Sequence, residues 1–194
     1  ALSNAGRHFS AVNASDENVL VFLAQAELDL AKGRFDEARH RVETARQANK
    51  MLQRWDIEIS SMLLLSRLHV AEGKLDQAAA SIDAARLVLA GLGDDIEVKS
   101  RLAKANIAAS EIHFRRGRAD MARQLFEEAL VTHRAMFDHR GEAQAFSRLA
   151  QFEASWGGPA QAIAAYNQAF LLLRRLGDLR ELALLDGDAR NFCT

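Results

Sequence analysis

Residues 33–38 read Gly-Arg-Phe-Asp-Glu-Ala, and related versions of this stretch return three times along the chain. The later copies are Gly-Lys-Leu-Asp-Gln-Ala at 73–78, Gly-Arg-Ala-Asp-Met-Ala at 117–122 and Gly-Gly-Pro-Ala-Gln-Ala at 157–162. The leading glycines therefore recur at intervals of 40, 44 and 40 residues. Self-similarity at such a period indicates a repeat protein, in which each copy is one supersecondary unit.

Further columns follow the same frame. Alanine stands 5 and 12 residues after every glycine, a large apolar or aromatic residue stands 9 after it, and a small residue stands 7 before it. These columns are Ala38, Ala78, Ala122 and Ala162; Ala45, Ala85, Ala129 and Ala169; Val42, Ile82, Phe126 and Tyr166; and Ala26, Ser66, Ser110 and Ala150. Such spacings share one helical face, so the columns predict where two helices approach closely.

Each repeat is predicted to be a hairpin of two antiparallel helices joined at the glycine. Glycine adopts positive φ and ends the first helix, and a polar or acidic residue shortly after it suits the first turn of the second helix. Pro159 takes this place in the fourth copy, where its missing N–H costs nothing. Four acids recur at the junctions between repeats and are predicted to be helix N-caps or first-turn acids. They are Asp56, Asp94, Asp138 and Asp178.

The frame sets the expected helices and repeats. The first helices are expected at 16–32, 54–72, 95–116 and 140–156, and the second helices at 34–50, 74–90, 118–136 and 159–176. The 44-residue step adds four residues, about one helical turn, which we place around 93–100. Residues 178–188 predict a capping helix that covers the last repeat with Leu179, Leu182 and Leu185. The expected divisions are a lead-in or remnant of a preceding helix at 1–15, four repeats at 16–52, 53–93, 94–137 and 138–176, and a capping helix and tail at 177–194.

The pattern of small residue, glycine and two alanines around an apolar residue resembles the tetratricopeptide repeat (TPR) family over roughly residues 16–175. The period exceeds the usual repeat of about 34 residues and resembles the long variants of bacterial regulators and signalling scaffolds. The resemblance implies an all-α fold, a right-handed α-solenoid of stacked antiparallel hairpins. The family's common tryptophan and tyrosine of the first helix, and its proline after the second, are absent.

The resemblance also implies a concave groove, lined by the first helices, that holds a protein or peptide. In the family, groove residues lie about 2, 3, 6, 10 and 13 positions before the turn glycine. In this chain those positions give Glu27, Ser60, Leu63, Arg67, Val70, Lys104, Ile107, Glu111, Phe114, Arg115, Gln144, Ser147 and Gln151, with Arg148 at the edge. This lining mixes both charges with apolar residues, while Arg123 is expected on the outer face.

The composition favours a globular all-α protein and argues against several function classes. Hydrophobic residues make up 49% of the chain and charged residues 26%, with a single proline. The 25 basic and 26 acidic residues give a net charge of −1, which argues against a nucleic-acid or anionic-membrane partner. No apolar run reaches the roughly 18 residues of a membrane span, and no signal peptide is visible. We therefore expect a soluble, cytoplasmic chain.

No constellation in the sequence predicts catalysis, a cofactor or a metal. Phosphate-binding glycine loops, nucleophile elbows and paired zinc-binding histidines are all missing. The acids Asp94, Asp95 and Glu97 fit helix capping better than acid–base chemistry. Cys193 lies next to the C-terminus, where chains fray and cannot hold a base in line. The two tryptophans, Trp55 and Trp156, stand at helix ends and fit local packing better than a ligand pocket.

One row of residues has the types of a metal site or a pH sensor. Asp29, His69, His113 and Glu153 each stand four residues before a turn glycine. Stacked helices lie about 8–10 Å apart, which is wide for shared ligation. We therefore favour hydrogen-bonded histidines that lie partly inside each hairpin.

These features predict a non-catalytic module that binds a protein or peptide in its groove. We expect it to be the sensor or scaffold segment of a larger bacterial signalling or regulatory protein. The chain begins with Ala1 rather than Met, and its first residues resemble the end of an earlier segment, so we expect a fragment rather than a processed product. Two alternatives stay open. One is a structural module that forms a homodimer through an end face, and the other is a regulatory fragment of a multidomain signalling enzyme or transcription regulator.

Overall fold

The computed structural model describes residues 16–156 and 158–193, and this part of the chain is all-α, with nine helices. The helices are α1 Asp16–Ala31, α2 Phe35–Leu52, α3 Trp55–Ala71, α4 Leu75–Gly91, α5 Ile96–Arg115, α6 Ala119–Ala135, α7 His139–Trp156, α8 Pro159–Leu176 and α9 Leu179–Cys193. Through α8, every helix end lies within two residues of the expected one. α9 continues five residues beyond the expected end at 188.

The turn glycines end the first helices as the repeat frame predicts. Gly33, Gly73 and Gly117 have φ of 72°, 74° and 72°, the left-handed region that costs glycine least. The N–H of the residue after each glycine closes the helix by donating to a carbonyl five residues earlier. At the first turn, the Arg34 N–H lies 2.9 Å from the Asp29 carbonyl oxygen. The fourth glycine, Gly157, lies outside the described residues.

The four additional residues of the long step lie where the sequence placed them. α5 has 20 residues, and the connection before it spans 92–95, whereas the connection between α2 and α3 spans only 53–54. Asp95 caps α5 by accepting a hydrogen bond from the Glu97 N–H at 2.8 Å. The expected cap, Asp94, is instead exposed and lies 3.6 Å from the Lys99 ammonium, because the helix begins one residue later than that role requires.

The other junction acids differ in their roles. The Asp138 carboxylate accepts from the Gly141 N–H at 2.8 Å, and the Asp178 carboxylate accepts from the Glu181 N–H at 3.2 Å, so both are N-caps. Asp56 lies in the first turn of α3 and forms an ion pair with Arg54 at 2.6 Å.

The described residues up to Val88 form one compact unit, and those from Leu89 onward form a second. In the first unit, α1 packs against both α2 and α3 around a core that includes Val19, Val42 and Leu68. α3 and α4 lie close enough for a direct contact between side chain and backbone: the buried Ser66 hydroxyl donates to the Ala78 carbonyl at 3.0 Å.

In the second unit, α5 packs against α6 and α7, and α8 packs against α7 and α9. Leu182 and Leu185 of α9 join the core of this unit, as expected of a capping helix. Leu179 does not, because its side chain at the start of α9 is 78% exposed.

All eight residues of the two alanine columns are buried in these cores. The chain thus folds as sequential antiparallel hairpins, with alanines where the helices of a hairpin meet. Among the described residues, no helix is both long and apolar enough to cross a membrane.

Candidate functional site: the faces of the first helices

The first helices of the first unit share a charged surface. Glu27 on α1 and Arg67 on α3 each lie six residues before a turn glycine, and their side chains meet at 3.3 Å between Oε1 and Nη1. Both side chains are exposed, whereas Ser60 and Leu63 on α3 are half-buried. The structure therefore brings together two of the predicted groove residues on neighbouring first helices.

The second unit has a corresponding face on α5 and α7, which pack side by side. On α5, Lys104 and Arg115 are exposed, and Arg115 pairs with the half-buried Glu111 at 3.0 Å. On α7, the Arg148 guanidinium donates to the Gln151 side-chain carbonyl at 3.3 Å. The remaining predicted positions are exposed or half-buried, namely Ile107, Gln144 and Ser147. Each unit therefore presents both charges together with partly exposed apolar residues.

Two predicted groove residues are core residues instead. Phe114 is 1% exposed and stacks on Phe152, with ring centroids 5.2 Å apart. It also lies 6.3 Å from the Phe126 ring, so it fills the space between α5, α6 and α7. Val70, on α3, is also buried. Both residues stand three positions before a glycine, so the helical turn carries them toward the neighbouring helix rather than toward solvent.

Asp29 and Glu153, the two acids that stand four residues before a turn glycine, are both bound by arginines. Asp29 is bonded by Arg34 and, at 2.6 Å, by Arg41. The hydrogen bond from Arg41 is the main cause that holds the pKa of Asp29 below its usual range. Glu153, which is 2% exposed, takes two hydrogen bonds from Arg123 at 2.6 and 2.9 Å. These bonds raise the pKa of Arg123.

Arg123, which the sequence places on the outer face, therefore connects α6 to α7 through Glu153. Arg39 stands at the same repeat position, six residues after a glycine, and binds Glu72 at the end of α3 at 2.6 Å. In each unit, an arginine of a second helix thus holds an acid of the next first helix. The sequence carries a signal for these contacts, because Arg39 and Arg123 both stand six residues after a turn glycine.

His69 belongs to the same charged group. Its Nδ1 lies 3.8 Å from Glu72, and burial lowers the pKa of the imidazole. Hydrogen bonds from Arg39 and from Lys74 lower the pKa of Glu72 to about 2. Nδ1 of His69 has no hydrogen-bond partner, contrary to the expected bonded histidine. Within the described chain, no group of three or more histidine, cysteine or acidic residues is placed to hold a metal.

A buried histidine that the sequence analysis did not single out lies at the end of α6. His133 is 1% exposed, and its Nδ1–H donates to the Asp138 carboxylate at 2.9 Å. Burial raises the pKa of Asp138. The hydrogen bonds from the Gly141 N–H and the His133 ring together outweigh this effect, so the pKa lies below its usual range. Gly141 supplies the space, because a Cβ there would lie 2.2 Å from His133 Nδ1.

A shallow cleft of about 300 Å³ lies between α2 and the start of α3. Its lining residues are Glu43, Arg46, Gln47, Asn49, Lys50 and Glu58. Arg46 lies 3.5 Å from Glu58 and 3.7 Å from Glu43, so its charge is already balanced within the cleft. The buried Asn49 side chain connects the two helices beside the cleft. It donates to the Arg54 carbonyl at 3.0 Å and accepts a hydrogen bond from the Arg54 N–H at 3.1 Å.

Several expectations fall on residues that the structure does not describe. Residues 1–15, and the side chains of Trp156 and Cys193, lie outside the described part. Trp55 is half-buried at the start of α3.

Comparison with known proteins bears on the fold. No family model matches the chain, and no curated protein matches it. Among solved structures it is similar to BtubC (BKLC) from P. vanneervenii, with a TM-score of 0.62 over 86% of this chain and 71% of that chain. This likeness shows the fold of the chain, which is a series of helical hairpins. Sequence identity to BtubC is 19%, so the likeness concerns the fold alone.

Proposed function

We propose that this TPR-like protein is a non-catalytic module that binds a protein or peptide on the faces of its first helices. The observation that carries the proposal is the 3.3 Å contact between Glu27 and Arg67, which occupy the same position in successive repeats. Side chains of one column are therefore presented side by side, which is how repeat arrays form extended binding surfaces.

The chemistry of these faces suits a partner that carries both charges. Exposed ion pairs such as Arg115–Glu111 contribute only about 0–1 kcal/mol, so they can be exchanged for pairs with a partner at little loss. Leu63 and Ile107 are half-buried and supply apolar contact beside those charges. The balanced net charge of −1 supports a protein partner over nucleic acid or an anionic membrane.

The wider role we propose is that of a sensor or scaffold segment of a larger bacterial signalling or regulatory protein, acting in the cytoplasm. The long repeat period supports this role, because the sequence resembles the long TPR variants of such proteins.

The test begins with affinity capture and mass spectrometry to identify a partner, followed by isothermal titration. The double variant Arg67→Ala/Arg115→Ala should weaken binding at least about tenfold, because arginines near the centre of an interface contribute about 2 kcal/mol or more. Its melting temperature should hardly change, since both arginines are exposed. The matched control is Lys32→Ala/Arg118→Ala, which removes two exposed charges at hairpin turns. Equal binding by the two double variants would contradict the proposal.

A structural module is the second candidate, and one observation favours it. Val21 and Leu28 of α1 are about half exposed and lie seven residues apart, so they share one face of the helix. Such a face suits a homodimer. Sedimentation should then give a dimer mass that Leu28→Glu reduces to a monomer, whereas a monomeric wild type removes this candidate.

A further inference from the structure

Two turns of the second unit repeat one sequence pattern. Residues 134–140 read Arg-Ala-Met-Phe-Asp-His-Arg, and residues 174–180 read Arg-Arg-Leu-Gly-Asp-Leu-Arg. Each stretch ends a second helix and begins the next first helix, and each aspartate is the N-cap of that helix. The Arg140 guanidinium at the first turn bonds the Asp178 carboxylate at the second. The two turns therefore adjoin at one edge of the unit.

Phe137 occupies the strained position of the first turn. Its φ is 55°, whereas Gly177 takes the corresponding position of the second turn with φ of 67°. A bulky residue in the left-handed region costs about 1–2 kcal/mol relative to glycine. The ring gains nothing in return from the core, because Phe137 is 81% exposed. A strained, exposed aromatic side chain is a reason to look for a function outside the fold.

The second turn places further apolar surface at the same edge. Leu179 is 78% exposed and directly follows Asp178, to which Arg140 is bonded. Leu176, on the other side of Gly177, is also exposed. The edge thus carries three large exposed apolar side chains within two adjoining turns.

The charges around these side chains are unbalanced. Arg174, Arg175 and Arg180 are exposed and form no ion pair within the described part of the chain. The nearby acids are already engaged: Asp138 with His133, Asp178 with Arg140, and Glu142 with Arg134 at 2.5 Å. Asp178 also interacts with Arg180, and Glu181 is the other acid of the second turn, so the arginines outnumber the acids within residues 174–181.

We propose that these six residues, here called the arginine edge, bind a segment of another protein in which acidic residues accompany apolar ones. The arginine edge comprises Phe137, Arg174, Arg175, Leu176, Leu179 and Arg180. Its apolar side chains supply the contact area and its arginines pair with the carboxylates of the partner, the combination found at energetic centres of interfaces. The arginine edge lies at turns that follow second helices, so it is distinct from the faces of the first helices in the proposed function.

The first arm of the test uses Phe137→Gly. The probe is a short fluorescein-labelled peptide of alternating glutamate and phenylalanine, followed by fluorescence anisotropy at low salt. The variant should raise the melting temperature, because glycine relieves the strained φ, and should weaken peptide binding at least about fivefold, because the ring is gone. The control is Phe170→Ala, which removes another exposed ring from α8 and should leave binding unchanged. A more stable Phe137→Gly that binds the peptide as well as the wild type would overturn the proposal.

The second arm reverses charges. Arg175→Glu/Arg180→Glu should lose binding of the glutamate peptide, whereas Lys32→Glu/Arg118→Glu, with the same change in net charge, should retain it. A second peptide with lysine in place of glutamate should not bind the wild type. Absence of glutamate-peptide binding to the wild type, or equal loss in both double variants, contradicts the arginine edge. Binding to vesicles of anionic lipid that depends on Phe137, without peptide binding, would assign the edge to a membrane instead and also overturn the proposal.

Discussion

At the scale of single residues, the buried pair of His133 and Asp138 in the second unit requires a glycine at position 141. Gly141 lies in the first turn of α7, where its backbone N–H donates to Asp138 and its missing Cβ leaves room for the His133 ring. Asp138 therefore caps a helix and accepts from a buried histidine at once. A glycine inside a helix normally lowers stability, so at position 141 that loss is offset by the pair beside it.

We predict that Gly141→Ala lowers the melting temperature of the protein. A Cβ at this position would lie 2.2 Å from His133 Nδ1 and 2.3 Å from the Asp138 carboxylate, so the pair must move apart. The expected loss is about 1–3 kcal/mol of unfolding free energy, measured by chemical denaturation. Gly187→Ala is the matched control, because that glycine is also helical but has open space around it and should gain about 0.5–1 kcal/mol. Equal shifts in both variants would contradict this account.

At the scale of helices, arginines bind successive hairpins to one another. Arg123 of α6 reaches the buried Glu153 of α7 with two hydrogen bonds, and Arg39 of α2 reaches Glu72 beside α3. These bonds connect a second helix to the next first helix. In the first unit they add to an apolar core that already contains Ala38 and Ala45 of α2 together with Ile57 of α3.

Removing this arginine should therefore destabilise the second unit. Arg123→Ala leaves the Glu153 carboxylate buried without its partner, which should cost about 1–3 kcal/mol in denaturant unfolding. Arg115→Ala breaks only an exposed pair within α5 and should cost at most about 0.5 kcal/mol. The double change Arg123→Met/Glu153→Leu should recover much of the loss, because it removes the buried charge with its partner. If Arg123→Ala and Arg115→Ala unfold alike, the Glu153 pair is not a stabilising contact.

The alanine columns should tolerate no larger side chain. Ala122 and Ala85 are fully buried where two helices meet, so Ala122→Leu or Ala85→Phe should cost about 1–3 kcal/mol through overpacking. Ala84→Leu, on the exposed side of α4, is the control and should be nearly neutral. Unchanged melting temperatures in both buried variants would mean that the column does not mark a close helix contact.

Much of the helical layout followed from the sequence, because apolar periodicity and turn glycines act locally. Ala38 and Val42 are close in sequence, and a helix alone places them on one face. The groove assignment failed at Phe114 because a fixed offset from glycine does not show which way a side chain turns once a neighbouring helix is present. Arg123 and His133 were missed for a related reason: their partners, Glu153 and the space at Gly141, become neighbours only after the hairpins pack.

At the scale of the whole molecule, these charges make stability depend on pH in one direction. Arg39 and Lys74 lower the pKa of Glu72 to about 2 from its ordinary 4.5, and the pKa values of Asp29, Asp138 and Asp178 are also lowered. A carboxyl with a lowered folded pKa stabilises the fold above its unfolded pKa and loses that contribution as pH falls toward the folded value. Burial lowers the pKa of His69 as well, so the unfolded chain binds its proton first as pH falls below the ordinary 6.5.

The sign is therefore the same for the histidine and for the carboxyls, and we predict that acidification destabilises the protein in two stages. A first, smaller loss should occur as pH falls from about 7 to about 5, and a second, steeper loss from about pH 5 to about pH 2. Melting temperatures across this range test the prediction. His69→Gln should flatten the first stage, because the charged group of Arg39, Glu72 and Lys74 then faces no titrating ring. Glu72→Gln should instead flatten part of the second stage, because glutamine keeps a similar shape but takes up no proton as pH falls. A melting temperature that stays level or rises between pH 5 and 3 would contradict the assigned directions, since every shifted carboxyl must release stability there.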